Sequence, residues 1–188
     1  MGFCHLQVKS TYSILRSNIE IDALVQKAKQ LGFQSLALTD FHAMYGVIHF
    51  YEACIKEKIH PIIGLTVSYR FEELHGQFIF LAKNMIGYQQ LVKISSHLQV
   101  TESGFLTMDV LDCLSKGQPN QDLIVILPGQ DSVLYPLLQK GFQAQADSVY
   151  QQLKKQFSHM YIGLHKPSEV HIYRLLNVQP EYVVLNDV

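Results

Sequence analysis

Two carboxylates and one ammonium stand where a catalytic centre would be built. At the carboxyl ends of the strand-like runs lie Gln7 and Lys9 after the first, Asp40 and Phe41 after the second, Thr66 in the third and Asp187 after the last. In βα barrels such positions carry the reacting groups. Among them Asp40 and Asp187 are carboxylates, the side-chain type that can ligate divalent cations. Their companions argue against it. A glutamine amide is a poor ligand for zinc-like ions, a phenyl ring is none, and the Lys9 ammonium puts positive charge where a dication would sit.

Other chemistries leave less trace. His5 and His42 flank these positions and could rescue some metal binding, but without a glutamate and paired imidazoles they read as ordinary structural or surface histidines. His49, His60, His97, His165 and His171 show no ligand spacing. Ser13 lacks the GxSxG setting of an activated hydroxyl. There is no GxGxxG run and no P-loop, and no Asp-x-Asp pair of the kind that holds two magnesium ions for nucleotidyl transfer.

The elements that must position these residues alternate between short apolar runs and amphipathic helices. Leu24, Val25, Ala28 and Leu31 share one helical face after Ile21, and Gly32 follows as a stop. Ser35 to Thr39 is a buried-strand pattern ending at Asp40. Val47, Phe50, Tyr51 and Cys54 form the next helical stripe, Pro61 opens a strand from Ile62 to Tyr69, and Gln77 to Ala82 forms another after a Glu-Glu-Leu-His-Gly turn. Tyr88, Leu91, Val92 and Ser95 predict a helix, Leu123 to Leu127 a strand stopped by Pro128 and Gly129, and Val149, Leu153 and Phe157 a further helix. Strands from Met160 to Leu164 and from Tyr182 to Leu185 complete the pattern. This alternation predicts a parallel α/β architecture, an open sheet or a barrel. Thr101 to Gln121, rich in Ser, Gly, Pro, Asn and Gln, is expected to be a surface excursion.

The 188 residues suit one domain with a full core. The apolar fraction is 48% and the charged fraction 16%, which excludes a disordered chain. The longest apolar runs are strand-sized, too short to span a bilayer, and the first residues lack the basic and long apolar regions of a signal peptide. Cys4, Cys54 and Cys113 are odd in number and widely spaced, as in reduced thiols of a cytoplasmic protein. Fifteen basic side chains against 16 acidic ones give no excess of positive charge with which to grip DNA phosphates. The chain stops right after a strand-like run, which suggests a piece of something longer.

The resemblance lies in the order of the motifs. His5-Leu6-Gln7-Val8-Lys9 leads to Tyr12-Ser13-Ile14-Leu15 and Leu24-Val25-Gln26-Lys27-Ala28. Leu38-Thr39-Asp40-Phe41-His42-Ala43-Met44-Tyr45-Gly46 matches a Leu-Thr-Asp-His-Gly-Asn-x-x-Gly motif. Phe50-Tyr51-Glu52-Ala53-Cys54, Ile59-His60-Pro61-Ile62-Ile63-Gly64, Leu81-Ala82-Lys83-Asn84 with Gly87-Tyr88, and Leu185-Asn186-Asp187-Val188 follow. Nearly end to end, this resembles the PHP domains that open DnaE-type bacterial DNA polymerases, the DNA polymerase III alpha subunits, most closely those of low-GC Gram-positive bacteria.

The resemblance implies a PHP-type distorted βα (TIM-like) barrel over residues 1–188, truncated at its C-terminal end, with the polymerase palm, fingers and thumb elsewhere. It also implies a metal site whose ligands have been replaced. The His-x-His pair falls on Gln7 and Lys9, the histidine after Thr-Asp on Phe41, and a glutamate on Thr66, leaving Asp40 and Asp187. On that reading the segment has no catalytic residue and no metal, and Lys9 neutralises Asp40 and Asp187. The parent enzyme would use Mg2+ for DNA synthesis in the cytoplasm, and this domain would touch little DNA and no membrane. Its partners would be the other domains of the same polymerase, with a sliding clamp or an exonuclease as further replisome contacts. The competing readings are a metal-dependent phosphoesterase of the histidinol-phosphatase kind and a free-standing binding module.

Overall fold

A computed structural model describes residues 3–101, 103–115 and 119–185. Its frame is one six-stranded sheet in which neighbours in sequence are neighbours in space: β1 (Ser35–Leu38), β2 (His60–Phe71), β3 (Leu74–Ala82), β4 (Asn120–Pro128), β5 (Phe157–Leu164) and β6 (Tyr182–Val184). β1 runs parallel to β2, and β4, β5 and β6 run parallel to one another. The parallel α/β architecture expected from the alternation holds at both ends of the sheet and is corrected at the centre, where β2–β3 and β3–β4 are antiparallel. Only Glu72 and Glu73 separate β2 from β3, and Glu72 takes a left-handed φ of 53°. A parallel return needs a crossover of a dozen residues or more, so this turn admits only a hairpin.

The sheet curls into a half-barrel with two differently filled faces. On β3, Phe78 and Phe80 enter the large core, while Ile79 and Leu81 enter a small cluster with Ala37, Ile126 and Leu185. This period-two alternation is what strand geometry imposes. The large core is closed by α3 (Met85–Val100), α4 (Met108–Ser115), α5 (Tyr135–Gln139), α6 (Gln143–Gln156) and α7 (Glu169–Tyr173). A second cluster packs β1 against α1 (Ile21–Gln30) and α2 (Val47–Glu57) through Val25, Leu36, Leu38, Phe50 and Cys54. α1 ends where predicted, with Gly32 at φ 77°, a backbone that glycine adopts without a Cβ clash.

Three local expectations are corrected. Residues 5–9 form no regular strand: His5 and Val8 accept single backbone bonds from Ala37 and Thr39, and the Thr39 hydroxyl takes the Val8 N–H at 3.1 Å. The Thr101–Gln121 stretch contains α4, and Leu106 and Leu111 are buried in the large core. Leu106 donates to Ser68 O and accepts from Arg70 N, pinning the stretch along β2. Phe157, expected on a helix, opens β5 inside the core.

Candidate functional site

Asp40 lies two residues past the end of β1 and is almost fully buried. A buried carboxylate needs donors, and the preceding loop supplies them. Ser10 gives its backbone N–H to Oδ1 at 2.6 Å and its hydroxyl to Oδ2 at 2.7 Å, and the Ser13 hydroxyl donates to Oδ1 at 2.5 Å. Ser13 Oγ also accepts the Phe41 N–H at 2.9 Å, so one hydroxyl links the residue after Asp40 to the loop. Charge-assisted bonds of this kind are about twice as strong as neutral ones.

Phe41 and Thr66 face each other in an isolated parallel bridge that extends the β1–β2 pairing. Thr66 N–H donates to Asp40 O at 3.0 Å, its carbonyl accepts the His42 N–H at 2.8 Å, and its hydroxyl donates to Thr39 O at 2.8 Å. Asp40, Phe41 and Thr66 therefore come together. The Phe41 ring lies between the Arg16 guanidinium, 3.5 Å from its centroid, and the His42 imidazole, stacked at 3.9 Å and 14°.

His42 takes a left-handed φ of 59°, and its Nε2 accepts the Ser68 N–H at 2.9 Å, fixing that nitrogen as the unprotonated one. Burial lowers its pKa to about 4, with the nearby Arg16 charge adding to the effect. His42 is thus held neutral, with Nε2 committed to the β2 backbone. His5 lies edge-on to Phe3 and tilted against Phe33; its pKa is lowered by burial, and its Nδ1 has no hydrogen-bond partner among the described residues.

Gln7 is buried and pairs across the fold, its Oε1 lying 3.0 Å from His165 Nε2. The His165 backbone N–H donates to buried Glu169 at 2.9 Å. Lys9 is partly buried, and its carbonyl accepts the Ser17 hydroxyl at 2.7 Å. Asp187 lies outside the described residues. Sequence reasoning missed Ser10, Arg16 and Glu169, named His165 only as lacking ligand spacing, and took Ser13 only as a nucleophile to dismiss. Ser10 and Ser13 stand about thirty residues from their carboxylate, and Gln7 stands 158 from its histidine, so no local spacing announces either pairing.

Among the described residues, no three His, Cys, Asp or Glu side chains gather to hold a metal ion. The donors at the strand ends do not fit the metal cluster that a PHP-like fold implies. Both Asp40 oxygens are engaged by serines, position 41 presents a ring, and the Thr66 hydroxyl is turned onto a backbone carbonyl.

Residues 5–166 match the PHP domain family. The chain belongs to that family. This PHP domain is 44% identical over 149 residues to the DNA polymerase III subunit alpha of Bacillus subtilis, a match covering 78% of the chain and 13% of that protein. It is 42% identical over 103 residues to the subunit alpha of Halalkalibacterium halodurans, covering 54% of the chain and 9% of that protein. The chain thus spans about an eighth, or less, of the length of these curated relatives. Among solved structures, an amidohydrolase from Chromobacterium violaceum superposes with a TM-score of 0.57 at 11% identity, covering 98% of this chain and 87% of that one. At that identity the likeness is one of fold, and it agrees with the barrel-type architecture expected for a PHP domain. No helix among the described residues is long and apolar enough to cross a membrane.

Proposed function

We propose that residues 1–188 form one PHP domain within the alpha subunit of a bacterial replicative DNA-directed DNA polymerase, where it serves as a scaffold without hydrolytic chemistry of its own. The identity to DNA polymerase III alpha subunits carries this reading. The strand-end residues support its second half. Gln7, Lys9, Phe41 and Thr66 replace the ligands of a hydrolytic centre, and Asp40 anchors the Ser10–Ser13 loop. Asp187 is the remaining vestigial position, and the Lys9 ammonium is the charge proposed to neutralise Asp40 and Asp187.

On this reading the parent polymerase works in the cytoplasm, uses Mg2+ for synthesis and holds DNA through its other domains, because this one has a net charge of −1. Those other domains are its first partners, with a sliding clamp or an exonuclease as replisome contacts. The test takes the natural polypeptide carrying residues 1–188. Primer extension with Mg2+ is expected from the whole polypeptide, and none from residues 1–188. Neither should hydrolyse a phosphodiester at the PHP domain when given Mn2+ or Zn2+. Turnover by residues 1–188 that disappears in Asp40→Asn would establish the phosphoesterase reading instead.

A further inference from the structure

A cleft of about 480 Å3 opens beside the strand-end site, between the β2–β3 hairpin, the turn after β4 and α5. Ser68 joins the two, for it lines the cleft and its N–H is held by His42 Nε2 at 2.9 Å. The frame of the cleft is fixed. A Cβ on Gly76 would lie 2.5 Å from Val133 N, so β3 runs against the turn at a separation only glycine permits. Buried Ser132 bonds the Tyr173 hydroxyl at 2.7 Å and accepts the Tyr135 N–H at 3.3 Å, which sets the start of α5.

Gln77, Gln130 and Gln139 bring three amides to the lining, and none of these side chains is hydrogen-bonded to protein among the described residues. Each amide offers two donors and an acceptor. Phe105, Tyr135 and His75 add rings, with His75 tilted against Phe105 at 5.0 Å. Among the described residues the only fixed charge in the lining is the Asp131 carboxylate, and no Lys or Arg lines it. Arg70 lies over Phe105, 5.9 Å from the ring centroid, but belongs to the lining of a neighbouring cleft.

We infer that this cleft takes a nucleobase, its edge paired with the glutamine amides and its face stacked on an aromatic ring. Glutamine pairs bidentately with the N6 and N7 edge of adenine, and every base has a face that stacks on Phe or Tyr. A phosphate is the wrong anchor here, because it would meet Asp131 and no cation. A polar ligand without a flat face would leave Phe105 and Tyr135 unused. The base is carried either by a free nucleoside or by a single strand whose phosphates are held elsewhere. The inference depends on the lining alone and not on the alpha-subunit reading.

Photolabelling of the natural full-length polypeptide tests this. One probe is 8-azidoadenosine, and the other is a single-stranded oligonucleotide carrying one 8-azidoadenine. Saturable labelling of the peptides that hold Phe105 or Tyr135 is expected from at least one probe, and the probe that labels identifies the source of the base. Unlabelled adenosine should compete and sucrose should not. Gln77→Leu, similar in size, should weaken labelling about tenfold with an unchanged circular dichroism spectrum. Tyr135→Ala should weaken it about five- to 150-fold. No saturable label on these peptides from either probe would overturn the inference. So would labelling indifferent to Gln77→Leu, or competition by sucrose equal to that by adenosine.

Discussion

Replacing Asp40 by alanine separates a structural carboxylate from a leftover metal ligand, because the two roles predict opposite signs. A buried carboxylate kept only for a lost cation would be unsatisfied, and its removal would stabilise the fold. Here three donors converge on it, at 2.6 and 2.7 Å from Ser10 and 2.5 Å from Ser13. Hydrogen bonds to a charged group contribute about 1.5–3 kcal/mol each. Their sum is reduced by recovering the desolvation cost of the ion, several kcal/mol, and by hydroxyls that rotate to other acceptors. The Ser10 N–H cannot rotate and is left orphaned in the interior, at a cost of about 1–3 kcal/mol. The net expectation for Asp40→Ala is a loss of about 3 kcal/mol in urea unfolding at pH 7. A double-mutant cycle with Ser13→Ala should return a coupling of about 1–2 kcal/mol. A loss below about 1 kcal/mol, or a gain, would refute the reasoning.

His42 is neutral in the folded chain because its pKa is lowered to about 4. Its stabilisation is therefore complete above about pH 6.5, where the unfolded ring is neutral too, and is lost as pH falls from there toward 4. His42→Asn keeps a residue tolerant of φ 59° and should flatten the fall in stability between pH 6.5 and 4.5 by about 1–2 kcal/mol; urea midpoints that decline with equal slope in both proteins would contradict this. Lys9→Ala should lower the melting temperature by about 3 °C or more if the ammonium neutralises the strand-end carboxylates, and an unchanged value rejects that role. The Cys54 thiol, pushed up to about 12 by burial, should resist a thiol-specific reagent at pH 8 that labels exposed Cys113 promptly. Fast modification of Cys54 in the folded chain would show that the α1–α2–β1 cluster opens.

What the sequence made legible was periodic or adjacent. The stripe begun at Ile21, the stop at Gly32 and the strand leading to Asp40 are local patterns, and the fold follows them, burying Ile21, Val25 and Ala28 while Leu31 stays exposed. The turn at Glu72–Glu73 is also local and reads as a turn between two strands, yet the strand–helix alternation around it suggested a parallel architecture. α4 was obscured because the Ser, Gly, Pro, Asn and Gln residues flanking it set the character of the whole stretch, although Met108, Val110, Leu111 and Cys113 are apolar. At the site, the strand-end positions were readable one by one, but what they touch was not. The Ser13 partnership with Asp40, the Arg16–Phe41–His42 stack and the Gln7–His165 pair are made by the curl of the sheet, which brings distant segments together.

The central claim is that Asp40 and its neighbours hold a loop instead of metal ions. The most direct measurement is elemental analysis of the purified protein after saturation with Mn2+ or Zn2+ and exhaustive dialysis, with calorimetric titration of the same ions alongside. The account predicts metal well below one ion per chain and the same weak heats for wild type and Asp40→Asn. Two or more ions retained per chain, and lost in Asp40→Asn, would contradict it.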